Sequence, residues 1–209
     1  MLIGPELMAL RVDDSPQRRI QQRLFDQAEA WRQTGAGAQL EAELPLLAKG
    51  AALETLPALH ALFSPDSGAA TDLIDGVARW LLGELAEDPL GQVPLRHQCD
   101  RTLATLVLVR CQGASLALQA IDGAGLALKP PAQSVTFAAN ESWERVLAGS
   151  ADVEAVRIVG RCPGGAELHR AQATLAPGAI THRLGRQDAQ IFTRISGILI
   201  LLKLHRLDH

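Results

Sequence analysis

Tyrosine is missing altogether from this 209-residue chain, and aromatic residues make up only 3% of it. A surface that stacks nucleobases is built from such rings, so little is present for one. Lysine is scarce too. Lys49, Lys129 and Lys203 are the only lysines and the formal net charge is −3, which leaves no overall pull toward nucleic acid or an anionic membrane. The cysteines Cys99, Cys111 and Cys162 are odd in number and form no Cys-x-x-Cys pair, so a disulfide framework is not expected and a reducing compartment is. The longest unbroken apolar run, Ile198 to Leu202, is far too short to cross a bilayer. The first residues, Met1-Leu-Ile-Gly-Pro-Glu6, lack the basic and apolar regions of a signal peptide. These absences together predict a soluble cytoplasmic protein.

What is present is ordinary for a folded chain. Hydrophobic residues at 47% and charged ones at 21% exclude extended disorder, and the length suits one large domain or two small ones. The first part reads as helical. Ser15-Pro16 is a helix start, with Ser as the cap and Pro at the first helical position. Ile20, Leu24, Ala28 and Trp31 then recur on one face, and Thr34-Gly35 ends the helix. A second helix carries Leu40, Leu44 and Leu47 and stops at Gly50, with Pro45 marking a kink or break. Leu53 to Phe63 is a third helical segment, interrupted at Pro57. The fourth, Ala70 to Ala86, has the broadest apolar stripe and ends at Asp88-Pro89.

Beyond Leu90 the pattern changes to short runs rich in Val, Ile, Leu and Thr. Thr102 to Arg110 and Ser115 to Ile121 read as a hairpin through Cys111-Gln-Gly113. Asp122-Gly123 is a turn, followed by a short strand at Leu126 to Leu128. Further strands are expected at 135–137, 143–147, 153–159, 167–175, 180–182, 190–195 and 198–205. The fold class is therefore α+β: a helical region over 1–89, then an antiparallel β jelly roll of eight to ten strands over 90–209. The run Gly197 to Leu204 is nearly all apolar, so it is covered on both faces, by the helices or by a second copy in a homodimer.

Candidate chemistry is thin. His97 and Cys99 stand two apart on a strand and so face the same side, as a ligand pair or a nucleophile and its base would. Against that, Cys99 also suits a small packing residue, and Asp100-Arg101 an adjacent ion pair. Seven arginines lie between Arg145 and Arg194. Converging, they would hold a carboxylate or phosphate; interspersed with Asp152, Glu154 and Glu167, they suit cross-strand ion pairs better. No Gly-x-Ser-x-Gly, no His-Glu-x-x-His and no phosphate loop is present.

One family resemblance exists. Glu141-Ser-Trp-Glu-Arg-Val-Leu-Ala-Gly149 resembles the centre of the first cupin motif, and Thr174-Leu-Ala-Pro-Gly178 with His182 resembles the second, roughly thirty residues on. The resemblance covers Gln133 to Leu204. It implies a jelly-roll barrel of the cupin superfamily, whose mouth commonly holds a metal or a small ligand and whose sheets commonly pair in dimers. The His-x-His pair that metal-binding cupins place ahead of the glutamate is replaced here by Thr136-Phe-Ala-Ala-Asn140. No metal and no cofactor is therefore expected. The expected function is a non-enzymatic, cupin-like small-ligand-binding or regulatory protein, with His97, Cys99, Glu144 and His182 as candidate ligand-binding residues. The alternative is a cupin-type metalloenzyme, an oxygenase or isomerase, using those four residues. A third reading couples a DNA-binding helical region to a β sensor, although the first helix carries Asp26 and Glu29 among its arginines. The expected partners are a small molecule and a second copy of the chain, with neither nucleic acid nor membrane.

Overall fold

A computed structural model describes residues 8, 12–88, 90–130, 132 and 134–208. Pro89, at the expected end of the helical region, lies outside them. Among the described residues from Ser15 onward, four helices come first: α1 (Ser15–Gln33), α2 (Gly35–Ala48), α3 (Pro57–Leu62) and α4 (Ala69–Glu87), with a 3-10 turn at Leu53–Thr55. The residue that caps α1 is Asp14 rather than Ser15, and the Asp14 side chain makes no capping hydrogen bond. Ser15 is instead held from outside, its amide donating to Asp13 Oδ1 at 2.9 Å. Pro45 neither splits nor stops α2, which continues to Ala48. Pro57 does divide the third segment, and it sits at the start of α3, where its missing N–H is no loss. Glu43 of α2 supplies the cap there, accepting from the Ala58 and Leu59 amides at 3.0 and 2.8 Å.

Seven antiparallel strands follow: β1 (His97–Cys99), β2 (Leu103–Cys111), β3 (Ala114–Asp122), β4 (Asn140–Cys162), β5 (Gly165–Leu175), β6 (Ile180–Arg183) and β7 (Asp188–Leu207). Their order is β1-β2-β3-β7-β4-β5, with β6 also on β4, and the sheet does not close. The expected β2–β3 hairpin is there, its two-residue turn ending on Gly113 at φ +94°. Leu126 to Leu128 is not a strand. Asp122 accepts from the Ala124 amide at 3.0 Å and so starts a short helix, α5 (Gly123–Ala127). Residues 135–137 are not a strand either.

The strand count falls below the expected eight to ten because those two runs are not strands and because two further pairs of short runs are each one long strand. Gly149 lies within β4 at φ +80° and Gly197 within β7 at φ +70°. Left-handed glycines look like terminators in sequence, but here they permit bulges, and pairing resumes beyond them from Ser150↔Ser196 to Arg157↔Asp188. A Cβ at Gly149 would run into the Ile198 carbonyl, so glycine is required there for a second reason. Arg183, at the end of β6, pairs with Ser142 near one end of β4, and five residues later Asp188 pairs with Arg157 near the other. Five residues reach at most about 18 Å, far less than fifteen extended residues of β4, so β4 folds over on itself. The result is an open antiparallel sheet rolled over on itself.

Strand alternation gives the sheet two different faces. Leu108, Leu116, Trp143, Leu202 and Leu204 point outward and share one buried core with Leu40, Leu44, Leu47, Leu59 and Leu62 of the helices. Val146, Val153, Leu199 and Leu201 point inward and form a second core with Ala151, Leu175 and Ile195. From Leu199 onward the apolar run of β7 is therefore covered on both faces by its own chain, while Ile198 is 58% exposed. No helix among the described residues is long and apolar enough to cross a membrane.

Candidate functional site inside the jelly roll

Along β4 the inward residues run Val146, Glu144, Ser142, from an apolar floor to a polar rim. Partners opposite each other in an antiparallel pair share a face, so Lys203 of β7 and Thr181 of β6 flank Glu144, and His205 and Arg183 flank Ser142. Lys203 Nζ lies 2.9 Å from Glu144 Oε1, the same oxygen that accepts from the Arg183 guanidinium. Arg183 also donates to Ser142 Oγ at 3.2 Å. Only 4% of Glu144 is exposed. Burial pushes its carboxyl upward, but the charges and hydrogen bonds of Lys203 and Arg183 outweigh this and hold it below the ordinary carboxylate range.

Three buried polar atoms in this region have no hydrogen-bond partner among the described residues: Glu144 Oε2, Thr181 Oγ1 and Gln190 Nε2. Leaving such an atom unpaired costs about 1–3 kcal/mol. Two neighbouring cavities adjoin them. One of about 330 Å³ is bordered by Thr181, Arg183 and Gln190 together with the alanines of β5. The other, of about 270 Å³, is bordered by Glu144, Lys203, Arg183 and Gln190. Asp188 borders both, but Arg157 grips it with hydrogen bonds of 2.6 and 2.9 Å, which hold its carboxyl low against the upward push of burial.

The outward residues of the same strands do something else. Arg145, 7% exposed, donates to the carbonyls of Leu62, Ser64 and Ser67 at 3.3, 2.6 and 2.8 Å, tying the end of α3 and the following loop to the sheet. Arg206 donates to the Ala51 carbonyl at 2.8 Å and to Glu141 Oε2 at 2.7 Å, and its guanidinium lies over the Trp143 ring. His182 stacks on Trp143 with ring centroids 4.9 Å apart, and its Nε2 lies 2.6 Å from Glu141 Oε1.

Of the four residues expected to bind a ligand, Glu144 alone faces the polar interior with its side-chain bonds. His182 bonds on the outer face, although it also borders the larger cavity. His97 and Cys99 are exposed on β1, an edge strand. β1 lies four strand positions from β4, and neither residue borders either cavity. The structure does not bring these two to Glu144. Asp100 makes no pair with Arg101; it accepts from the Thr102 and Leu103 amides at 2.6 and 2.8 Å and shapes the turn into β2. Lys203 and Gln190 were not singled out as site residues, and Arg183 was considered only as one of the seven arginines. Their only signal was a basic or amide residue within a strand otherwise apolar on that face.

The metal that cupin barrels commonly hold does not fit this interior. Glu144 is already engaged by two cations, which would repel a third. Among the described residues, no three His, Cys, Asp or Glu side chains gather as a metal would need.

Comparison with family models and with curated proteins found no match. Solved structures resemble about half of the chain at low identity. A cupin superfamily protein from Desulfitobacterium hafniense DCB-2 is 10% identical, with a TM-score of 0.34 over 54% of this chain and 83% of that one. KdgF from Halomonas sp. is 12% identical, with a TM-score of 0.35 over 55% and 87%. The 7S globulin of Momordica charantia is 12% identical, with a TM-score of 0.39 over 55% of this chain and 32% of that one. Each of these likenesses is confined to about half of this chain.

Proposed function

We propose that the chain is a non-enzymatic ligand-binding protein that holds a small polar molecule inside its jelly roll without a metal. The observation that supports this is Glu144: a buried, ionised carboxylate beside a cavity, with one oxygen committed to Lys203 and Arg183 and the other unpaired. A purely structural ion pair gains nothing from a free oxygen; a binding site does. The helices dock on the outward residues of the same strands, so they are suited to report or regulate what the interior holds.

The test is thermal melting of the purified protein titrated with small acids and polyols at millimolar concentration. Saturable stabilisation that the Arg183→Met variant loses is expected, and a melting temperature that no probe moves overturns the reading. Elemental analysis after metal reconstitution separates it from a metalloenzyme, because a stoichiometric transition metal would count against it. A homodimer is proposed as well, through β5, which is exposed along 165–174 and forms an edge of the sheet. A monomeric mass in sedimentation equilibrium would remove it.

A further inference from the structure

Resting on that reading, we infer that the interior takes a small hydroxycarboxylate with a single negative charge. The unpaired atoms define what the ligand must offer. Glu144 Oε2, being part of an ionised carboxylate, only accepts, so the ligand must bring a donor to it. Gln190 Nε2 only donates and needs an acceptor, and Thr181 Oγ1 takes either role. A hydroxyl satisfies each of these, because it donates and accepts at once.

Charge supplies the second requirement. Around Glu144 stand Lys203 and Arg183, two cations against one anion, and Asp188 is already neutralised by Arg157. One positive charge is left over, with N–H groups that suit a carboxylate. A phosphate dianion carries more negative charge than the site balances and would lie beside the Glu144 carboxylate. A neutral polyol leaves the surplus cation, which is only partly exposed, unmatched. The size fits as well. At the ~30 Å³ that a water molecule takes in the liquid, each cavity has room for about nine to eleven such groups, the scale of a three- to six-carbon hydroxy acid.

Isothermal titration of the full chain tests this with glycerate, gluconate, sorbitol, hexanoate and inorganic phosphate. Sorbitol keeps the hydroxyls of gluconate without its carboxylate, and hexanoate keeps the carboxylate without the hydroxyls. Glycerate or gluconate is expected to bind at least tenfold more tightly than sorbitol, hexanoate and phosphate. Glu144→Met is expected to erase the preference over hexanoate, and Arg183→Met the preference over sorbitol. Equal or tighter binding of sorbitol, hexanoate or phosphate overturns the hydroxycarboxylate while leaving a small-ligand protein intact. Binding of none of the five overturns both. Should a variant fail to fold, the five probes on the unaltered chain still decide the class.

Discussion

The outer and inner faces of β4 and β7 are built from neighbouring residues and treat polarity in opposite ways. Outward, Glu141, Arg145 and Arg206 are matched to named partners, including five backbone carbonyls of the helical region. Inward, Glu144, Thr181 and Gln190 each keep an unmatched buried atom and each border one of the two cavities. Matched buried polar groups specify how two layers dock, whereas unmatched ones are a cost that only a further partner offsets. The difference separates the residues that hold the protein together from those available for binding.

The largest expected effect lies on the outer face. Arg145→Ala removes charged donors from three carbonyls of the helical region and should destabilise the protein by about 3 kcal/mol in denaturant unfolding. Ligand binding to the folded fraction should be unchanged; a loss below ~1 kcal/mol would mean that the helices do not depend on this clamp. The inner face should behave in the reverse way. Replacing Glu144, Arg183 and Lys203 together by Met removes the desolvation penalty of three charges along with the unpaired oxygen. Stability should stay level or rise by about 1 kcal/mol while binding disappears. Marked destabilisation would instead make the triad structural and dissolve the contrast between the faces.

The smallest effect concerns pH. Burial holds His205 below its ordinary 6.5, assisted by the charge of Lys203, and its ring faces Ser115 Oγ. As pH falls below about 6.5 the unfolded chain takes up a proton that the folded chain still refuses, so stability declines until the folded value is passed. Glu144 adds a second decline, beginning near 4.5 and completed as pH falls through its lower folded value. His205→Gln should flatten the upper part of this profile and leave the acid limb. An unchanged slope near pH 6 would show that another group titrates there.

Much of the fold was legible because it is periodic. The apolar spacing of Ile20, Leu24 and Ala28 and the stripe from Leu73 to Leu85 mark α1 and α4 to within a residue or two. The Gln112-Gly113 turn and the Pro177-Gly178 turn stand where expected. Gly149 and Gly197 misled, because a left-handed glycine inside a bulge has the same letter as one that ends a strand. Arg18, Arg23 and Arg32 on α1 are each matched by a carboxylate, including Glu84 and Asp88 at the far end of α4, a pairing that the spacing along one helix could not show.

Glu141 and Glu144 show where sequence reading stops. Three residues apart on a strand, they must face opposite sides, and that much follows from the pleat alone. Which of them faces the helices and which the interior depends on where β7 and β6 are laid beside β4, and those partners lie some forty to sixty residues away. By itself, the sequence determined local conformation, the change from helix to strand near residue 90, and the jelly-roll class. Tertiary structure alone decided that His182 and Glu141 brace a packed interface, while Glu144, Lys203 and Arg183 line a cavity. The reason is that burial and charge pairing are properties of the assembled strands, which no single strand carries.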